Sequence, residues 1–351
     1  MGAAGPLTAS GRSGFHAVAA VRKAVREFMR TLPESAAESL CVAVSGGADS
    51  LALAEAAAYT CRSLPVTALV VDHGLQTGSD EVAEKAAATA REIGVGEVRV
   101  LPVSVSGRGG PEAAARRARY AALREASAGA PVLLGHTRDD QAETVLLGLG
   151  RGSGPRSIAG MRPYDPPWGR PLLGLPRATT RAACDELGIV PWQDPHNSDS
   201  RYRRVRIREE ALPMLEDVLG GGVAGALART AAQLREDVDV LDDLGEELLA
   251  AARGDTYGGA DVGRRTAPEL SVPVLESAPG ALRRRALRSW LLGAGVRELT
   301  DAHLRSVDAL VADWRGQGGV WLPGDFEASR ARGKLRVEPA AAGIITTSHH
   351  R

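Results

Sequence analysis

Cysteine is scarce in this chain: Cys41, Cys61 and Cys184 are the three present, far apart and in no CxxC or Cys/His arrangement with zinc spacing. That sparseness argues against a disulfide framework and against a structural metal centre. Cys41 opens an apolar run and reads as a small buried hydrophobe. Lysine is almost missing, occurring only at Lys23, Lys85 and Lys334, so nearly all the basic residues are arginine, the side chain suited to bidentate phosphate contacts. Net charge is absent as well, and a formal charge of +0 argues against a generic polyanion binder. No apolar run reaches the ~18–20 residues needed to span a bilayer, which argues against membrane insertion. The first 14 residues, rich in Gly, Ala and Ser, have neither a charged n-region nor a continuous apolar stretch; they read as a flexible tail, and a cytoplasmic location is expected.

What is present begins with length. At 351 residues the chain exceeds one typical domain of about 100–200 residues, so a large unit and a smaller one are expected. From about residue 16 to 150 strands and helices alternate. Leu40 to Val44 is an apolar run followed by a Gly-containing loop and an Ala/Leu-rich helix from about Asp49 to Cys61. Val66 to Val71, Val98 to Val103 and Pro131 to Gly135 repeat the strand pattern. Helices follow them at about Ser79–Ile93, Pro111–Ser127 and from Asp139 onward. Such alternation implies βαβ units, hence an α/β fold with a parallel sheet and helices on both faces, where ligands bind at the carboxyl ends of strands. Residues 151–200 are rich in Gly and Pro and read as long loops with one short helix near Thr179–Leu187. Beyond them, Leu227, Leu234, Val238, Leu241, Leu244 and Leu248 mark a long amphipathic helix over about Val223–Ala252. Helices near Gly280–Leu292 and Thr300–Trp314 and strand-like pieces at Gly319–Leu322 and Leu335–Val337 complete a smaller, mainly helical α+β unit.

Chemistry concentrates in the loop after the first strand, Ser45-Gly46-Gly47-Ala48-Asp49-Ser50. Glycines at 46 and 47 let backbone N–H groups approach phosphate oxygens, and the following helix presents its positive end to them. Ser45 and Ser50 add hydroxyls. The lysine of a GxxxxGK loop is missing, so transfer of a terminal phosphate is not the expected chemistry. An aspartate beside phosphates is repulsive unless a cation intervenes, which makes Asp49 a natural Mg²⁺ ligand. A bland alternative stands beside this one: a Gly-rich turn with Asp49 at a helix start. Arginine clusters at Arg116-Arg117-Ala118-Arg119, Arg201 through Arg208, and Arg283-Arg284-Arg285 with Arg288 point to a local nucleic-acid site, against the alternative of solvated faces paired with acids.

The loop resembles the SGGxDS signature of the PP-loop ATP pyrophosphatases, and further blocks resemble one of their families, the tRNA(Ile)-lysidine synthetases. Val71-Asp72-His73-Gly74-Leu75 is similar to the family's HGLR element, with Gln76 in place of arginine. Pro111 to Tyr120 is similar to its EaaAR..RY helix. Gly135-His136-Thr137-Arg138-Asp139-Asp140-Gln141-Ala142-Glu143-Thr144 resembles GHxxDDQAET, and Arg151 to Gly154, Pro171-Leu172-Leu173 and Asp194 to Asn197 follow in family order. The family's RNxxR aligns with Arg204-Val205-Arg206-Ile207-Arg208, where Val205 replaces asparagine. The resemblance is specific over about residues 38–215; the match of Leu282–Leu335 to the family's tRNA-contacting domain is weaker.

What the resemblance implies is adenylation by ATP of the C2 oxygen of the wobble cytidine in tRNA(Ile) with anticodon CAU, then displacement of AMP by the ε-amine of free L-lysine. It implies catalytic roles for Asp49, His136, Asp139, Asp140 and Arg116, and nucleotide contacts from Ser45 to Ser50 and His73. Glu112, Arg119, Glu143, Arg204, Arg208 and Arg284 are implied in substrate or tRNA binding, and the carboxylates at 139, 140 and 143 in holding Mg²⁺ or orienting the lysine ammonium. Each has a plainer reading: a structural histidine at 136, helix-capping acids at 139 and 140, Glu112 at a helix N-terminus, a turn at His73, and solvent-facing arginines at 204 and 208 paired with Glu209 and Glu210. The corresponding division is a tail over 1–15, an adenylating domain over 16–215, a helical linker and tRNA-contacting domain over 216–340, and a disordered tail over 341–351, with a homodimer left open. Competing readings are a base-thiolating PP-loop enzyme, disfavoured by the lack of paired cysteines, an amide-forming synthetase using ammonia, and a catalytically silent tRNA-binding homologue.

Overall fold

The computed structural model describes residues 15–33, 38–74, 78–105, 110–152, 154–193, 199–254 and 269–340, without the side chains of residues 111 and 112. Gln76, Ser153, the Asp194–Asn197 block, the Glu112 side chain, residues 1–14 of the expected N-terminal tail and the whole of the C-terminal one therefore lie outside the described residues. The chain falls into two compact units, Met1–Ala232 and Gln233–Arg351.

The first unit opens with α1 (His16–Met29), whose Val18, Val21, Val25 and Phe28 recur at three- and four-residue steps and are all buried. Then β1 (Leu40–Val44), α2 (Ala48–Thr60), β2 (Val66–Asp72), α3 (Ser79–Glu92), β3 (Glu97–Pro102) and α4 (Pro111–Ala126) alternate. They are followed by β4 (Val132–Leu133), α5 (Arg138–Arg151), α6 (Pro155–Ile158), β5 (Tyr164–Asp165), β6 (Trp168–Gly169) and α7 (Arg177–Leu187). The strands form one six-stranded sheet in the order β3-β2-β1-β4-β6-β5. All its pairings are parallel except that of β5 with β6. Helix α2 is buried from Ser50 to Ala57, its alanines allowing close approach to the sheet, and Leu40, Val42, Val44, Leu51 and Leu53 fill the core beside it.

The order matters for function. The chain runs outward from β1 to β3 and then returns to β4 on the other side of β1, which leaves a crevice between the carboxyl ends of β1 and β4. The β5–β6 hairpin corrects the sequence reading, which takes residues 151–200 as loops with one helix. Two-residue strands carry no periodic signal, and what fixes this pair is tertiary. A Cβ on Gly169 would sit 2.6 Å from Phe28 and 2.7 Å from Leu133, so only glycine lets β6 close on β4.

Beyond α7 come α8 (Arg203–Arg206), a π-helical turn (Ile207–Ala211), α9 (Leu212–Val218) and the long α10 (Val223–Arg253), inside which the unit boundary falls. The second unit continues with β7 (Leu270–Ser271), α11 (Val272–Glu276), α12 (Gly280–Gly293), α13 (Asp301–Ala312), β8 (Val320–Leu322), β9 (Phe326–Ala331) and β10 (Lys334–Pro339). Its sheet runs β7-β10-β9-β8, antiparallel throughout. A separate core forms around the fully buried Trp290, Leu287, Leu270 and Leu275. No single described helix is long and apolar enough to cross a membrane.

Candidate active site

A cavity of about 890 Å³ opens at the crevice between β1 and β4, lined entirely from the first unit. Its floor is the loop from Ser45 to Ser50. Gly46 has φ +82°, and a Cβ there would meet that of Ala86 at 3.2 Å, so the turn requires glycine twice over, by conformation and by space. The Gly46 carbonyl accepts from the Trp192 amide at 2.9 Å, which anchors the loop from outside. Ser50 Oγ accepts from the Ser45 amide at 3.1 Å and donates to the Gly47 carbonyl at 2.8 Å. That hydroxyl therefore holds the loop's shape and does not simply project as a ligand donor. Helix α2 starts at Ala48, directing its unsatisfied first-turn amides and positive end at the cavity.

The opposite wall is an acid cluster organised by Arg177 at the start of α7. Its Nη2 lies 2.6 Å from Asp140 Oδ1, its Nε 3.5 Å from Asp49 Oδ2 and its Nη1 3.5 Å from Glu143 Oε1. The Arg177 amide donates to Asp139 Oδ2 at 2.8 Å. Thr180, one turn on, donates its hydroxyl to Asp49 Oδ1. Burial pushes the Asp49 carboxyl above its ordinary pKa, with Thr180 and Arg177 opposing. Burial acts on Asp140 in the same sense. There the Arg177 charge and the Thr137 N–H, which donates at 2.8 Å, outweigh it and hold the carboxyl below the ordinary range. Arg177 itself is pulled down by burial and up by Asp140, Glu143, Asp49 and Asp139, with a net upward shift. Glu143 is fully buried; its Oε1 also takes Arg208 Nε at 2.7 Å, and its Oε2 has no hydrogen-bond partner. Capping and ion pairing are thus both real for Asp140, which closes a capping box with Thr137.

His136, directly after β4, lines the cavity with its Nδ1 buried and without a hydrogen-bond partner. Burial, with Arg170, Arg119 and Arg116 nearby, pushes its pKa down to about 3 against the pull of Asp140. The imidazole is therefore neutral at physiological pH. His73, after β2, also faces the cavity, beside Asp72, which accepts from Ser79 Oγ at 2.6 Å.

The structure gathers Ser45, Gly47, Ala48, Asp49, Ser50, His73, Arg119, His136, Asp140, Arg204 and Arg208 around one cavity. Asp139 and Glu143 stand behind it, tied to Arg177 and Arg208. Arg116 is exposed and rests on Tyr120, its Nη2 donating to the hydroxyl at 3.2 Å. Arg284 lies in the second unit, 3.3 Å from Asp308. The expectation that Glu209 and Glu210 neutralise Arg204 and Arg208 is not what the structure has: Arg206 takes Glu210 at 2.8 Å, while Arg204 reaches Thr144 Oγ1 at 3.4 Å. Val205 is buried, so an apolar side chain fills the place of the asparagine amide. Sequence reasoning missed Arg177, Thr180, Trp192 and Arg170, none of which stands in a motif that signals its partner.

A βαβ sheet with a glycine-serine loop at its switch point and no loop lysine defines a nucleotide-binding protein of the PP-loop class. The comparisons agree: a PP-loop domain matches residues 20–215, and a TilS substrate binding domain matches residues 270–336. The tRNA(Ile)-lysidine synthase of Nocardia farcinica is 56% identical over 92% of this chain and 98% of its own length. That of Mycobacterium tuberculosis is 57% identical over 94% of this chain and 96% of its own. Among solved structures, the tRNA thiolase NcsA from Methanococcus maripaludis superposes with a TM-score of 0.52 at 18% identity, covering 63% of this chain and 80% of that one, a likeness of fold alone. This chain belongs to the tRNA(Ile)-lysidine synthase family, and ATP binding resides in its PP-loop domain.

Proposed function

We propose that this protein ligates free L-lysine to C2 of the wobble cytidine of tRNA(Ile) bearing a CAU anticodon, consuming ATP and releasing AMP and pyrophosphate. The observation that carries the reading is a cavity joining the PP-loop to the His136 and Asp140 wall, in a chain 54–57% identical over at least 90% of its length to named lysidine synthases. In the first step the cytidine C2 oxygen attacks the α-phosphorus and the bond to pyrophosphate breaks. The charge collecting on the departing oxygens meets the Gly47–Asp49 end of α2, and fixed dipoles of this kind are commonly the largest catalytic contribution. Neutral His136, with its free ring nitrogen in the cavity, accepts a hydrogen bond or a proton and adds no charge of its own. In the second step the lysine ε-ammonium first gives a proton to solvent, and the resulting amine attacks C2. The C2–O bond breaks with its electron pair leaving on AMP, and the attacking nitrogen sheds a second proton. The cavity-lining Asp140 carboxylate orients the lysine ammonium before the first of those proton losses.

Asp49 fits Mg²⁺, since one or two carboxylates plus phosphate oxygens are the usual protein share for this ion. Its buried charge gains from a cation, and among the described residues no larger acidic or histidine cluster competes for the role. When bound there, Mg²⁺ supplies charge neutralisation on the leaving pyrophosphate. Unit 2, with its substrate-binding match, holds the body of the tRNA. ATP, lysine and tRNA are cytoplasmic substrates, which agrees with the location expected from sequence.

A thiolating reaction is disfavoured because Cys41, Cys61 and Cys184 are all buried, and burial pushes the Cys184 thiol up to about 11. The deciding assay incubates the protein with ATP, Mg²⁺, labelled lysine and unmodified tRNA(Ile) and counts label in RNA. Incorporation well above an Asp49→Ala control is expected; none would sink the reading.

A further inference from the structure

Glycine in a helix costs up to about 1 kcal/mol relative to alanine, yet the first turn of α10 holds the buried Gly225. A Cβ at that position would stand 3.3 Å from Arg229 Nη1, 3.8 Å from Arg138 Nη1 and 4.0 Å from Arg138 Cζ. Two guanidinium groups, one from α5 and one from α10, thus occupy the space that a side chain would take. Neither arginine lines the cavity described above.

The electrostatics of the place are unfavourable to both charges. Arg138 is the first residue of α5, where the helix's own positive end repels a cation, and it lies over the first turn of α10, the positive end of a second helix. Its Nε is buried without a hydrogen-bond partner. Among the described residues no carboxylate comes within ion-pair distance of either arginine. The acids beside them are engaged elsewhere. Asp139 takes the Arg177 amide at 2.8 Å, and Asp140 the Arg177 guanidinium at 2.6 Å. Glu216 accepts the Ala224 amide at 3.0 Å, and that bond and the Val223 amide hold its carboxyl below the ordinary range, with Arg138 contributing behind them. Two cations and two helix ends therefore share one place without a matching anion, an arrangement tolerated where a ligand brings the missing charge.

Resting on the reading above, in which the cavity takes the wobble cytidine, we propose that Arg138 and Arg229 form a seat for one backbone phosphodiester of the anticodon loop, outside the cavity and beside it. The helix start fixes the placement. Asp140, two residues after Arg138 in α5, lines the cavity, so a phosphate on Arg138 belongs to a nucleotide close to the one being modified. Guanidinium groups suit that ligand, since each can meet two phosphate oxygens at once. Position 138 is one of the open positions of the GHxxDDQAET block, and Arg229 lies outside every block of the family resemblance.

The test measures binding of tRNA(Ile) to the full-length protein and to its Arg138→Gln and Arg229→Gln variants, with one anticodon-loop phosphodiester at a time replaced by an uncharged methylphosphonate. Each variant is expected to bind unsubstituted tRNA about tenfold more weakly, with the slope of log affinity against log salt lower by about one. One methylphosphonate should weaken the wild type by the same factor and leave both variants unaffected, the non-additivity that marks a direct contact. ATP affinity should hold in both variants, and Arg138→Gln should melt at or above the wild-type temperature because it removes a repulsion. Losses that simply add at every loop position, or unchanged tRNA binding in both variants, overturn the seat. A matching loss of ATP affinity overturns its separation from the cavity. A melting temperature well below wild type would make Arg138 structural; Arg229→Gln, whose side chain is exposed on α10, then decides by the same series. Coupling at one phosphate in a protein that incorporates no lysine would sink the synthase reading and leave the seat standing, and lysine incorporation without coupling would do the reverse.

Discussion

A methyl group at residue 135 would sit 3.0 Å from the carbonyl carbon and oxygen of Asp49 and 3.1 Å from the Ser50 amide. Those are backbone atoms of the first turn of α2, which cannot swing aside as a side chain can. Gly135→Ala is therefore expected to cost about 1–3 kcal/mol in denaturant unfolding, the usual penalty for overpacking, and to weaken ATP binding by displacing the loop. The next residue gives a pH signature. His136 titrates at about 3 in the folded protein, against the ordinary 6.5 of the unfolded chain. Below pH 6.5 the unfolded state takes up a proton that the native state refuses. Its contribution to stability is thus full above pH 6.5 and is lost as pH falls toward 3, at about 1.4 kcal/mol per pH unit. Melting curves between pH 7 and pH 5 should fall less steeply for His136→Asn than for wild type. Glycines and serines of the PP-loop were legible in the sequence because their roles are local, a positive φ and a loop-closing hydroxyl. The reason for Gly135, by contrast, is the approach of a helix some ninety residues earlier, and spacing carries no trace of it.

Helix α7 assembles the acid wall, and it does so across the chain. Arg177 reaches Asp140 from 37 positions away and Thr180 reaches Asp49 from 131. The periodicity of this segment reveals a helix but starts it near Thr179, two residues late, and so misses the arginine at its first position. No local pattern could assign Arg177, because its meaning lies in α2 and α5. Replacing it leaves Asp140 without its main counterion and the fully buried Glu143 with Arg208 alone. Arg177→Gln is expected to destabilise the protein by about 3–5 kcal/mol, read from chemical unfolding, with Glu143→Gln recovering part of that loss in the double variant. The same helix also caps another: Glu186 accepts the Ala17 amide at 3.0 Å and the Val18 amide at 2.9 Å, at an α1 terminus that has no side-chain cap of its own. Those bonds hold the Glu186 carboxyl below its ordinary range, so its contribution is present above that range and fades as pH falls through it. Glu186→Ala should speed amide exchange in the first turn of α1 and leave α2 protected.

Over the whole molecule the formal charge is +0, so attraction for a polyanion arises only where arginines outnumber nearby acids. The count of arginines in a sequence cluster overstates that attraction, as α12 shows. Arg283 is buried and bonded to Asp308, Arg285 lies 3.0 Å from Asp242, and Arg284 shares Asp308 at 3.3 Å while remaining partly exposed. Two of the three charges are thereby neutralised, and the surplus falls on Arg284. The two variants should consequently separate. Arg283→Ala breaks a buried pair and is expected to lower the melting temperature of the second unit. Arg284→Ala is expected to leave melting nearly unchanged while weakening tRNA binding at low salt and lowering the slope of log affinity against log salt by about one. The slope for the wild-type chain follows from the same reasoning, since each surplus arginine in contact with a phosphate adds about 0.9 to it and so costs about threefold to fourfold in affinity between 50 and 200 mM salt. A flat salt dependence in wild type, or Arg284→Ala with an unaltered slope, would show that the second unit holds tRNA by shape and not by this charge.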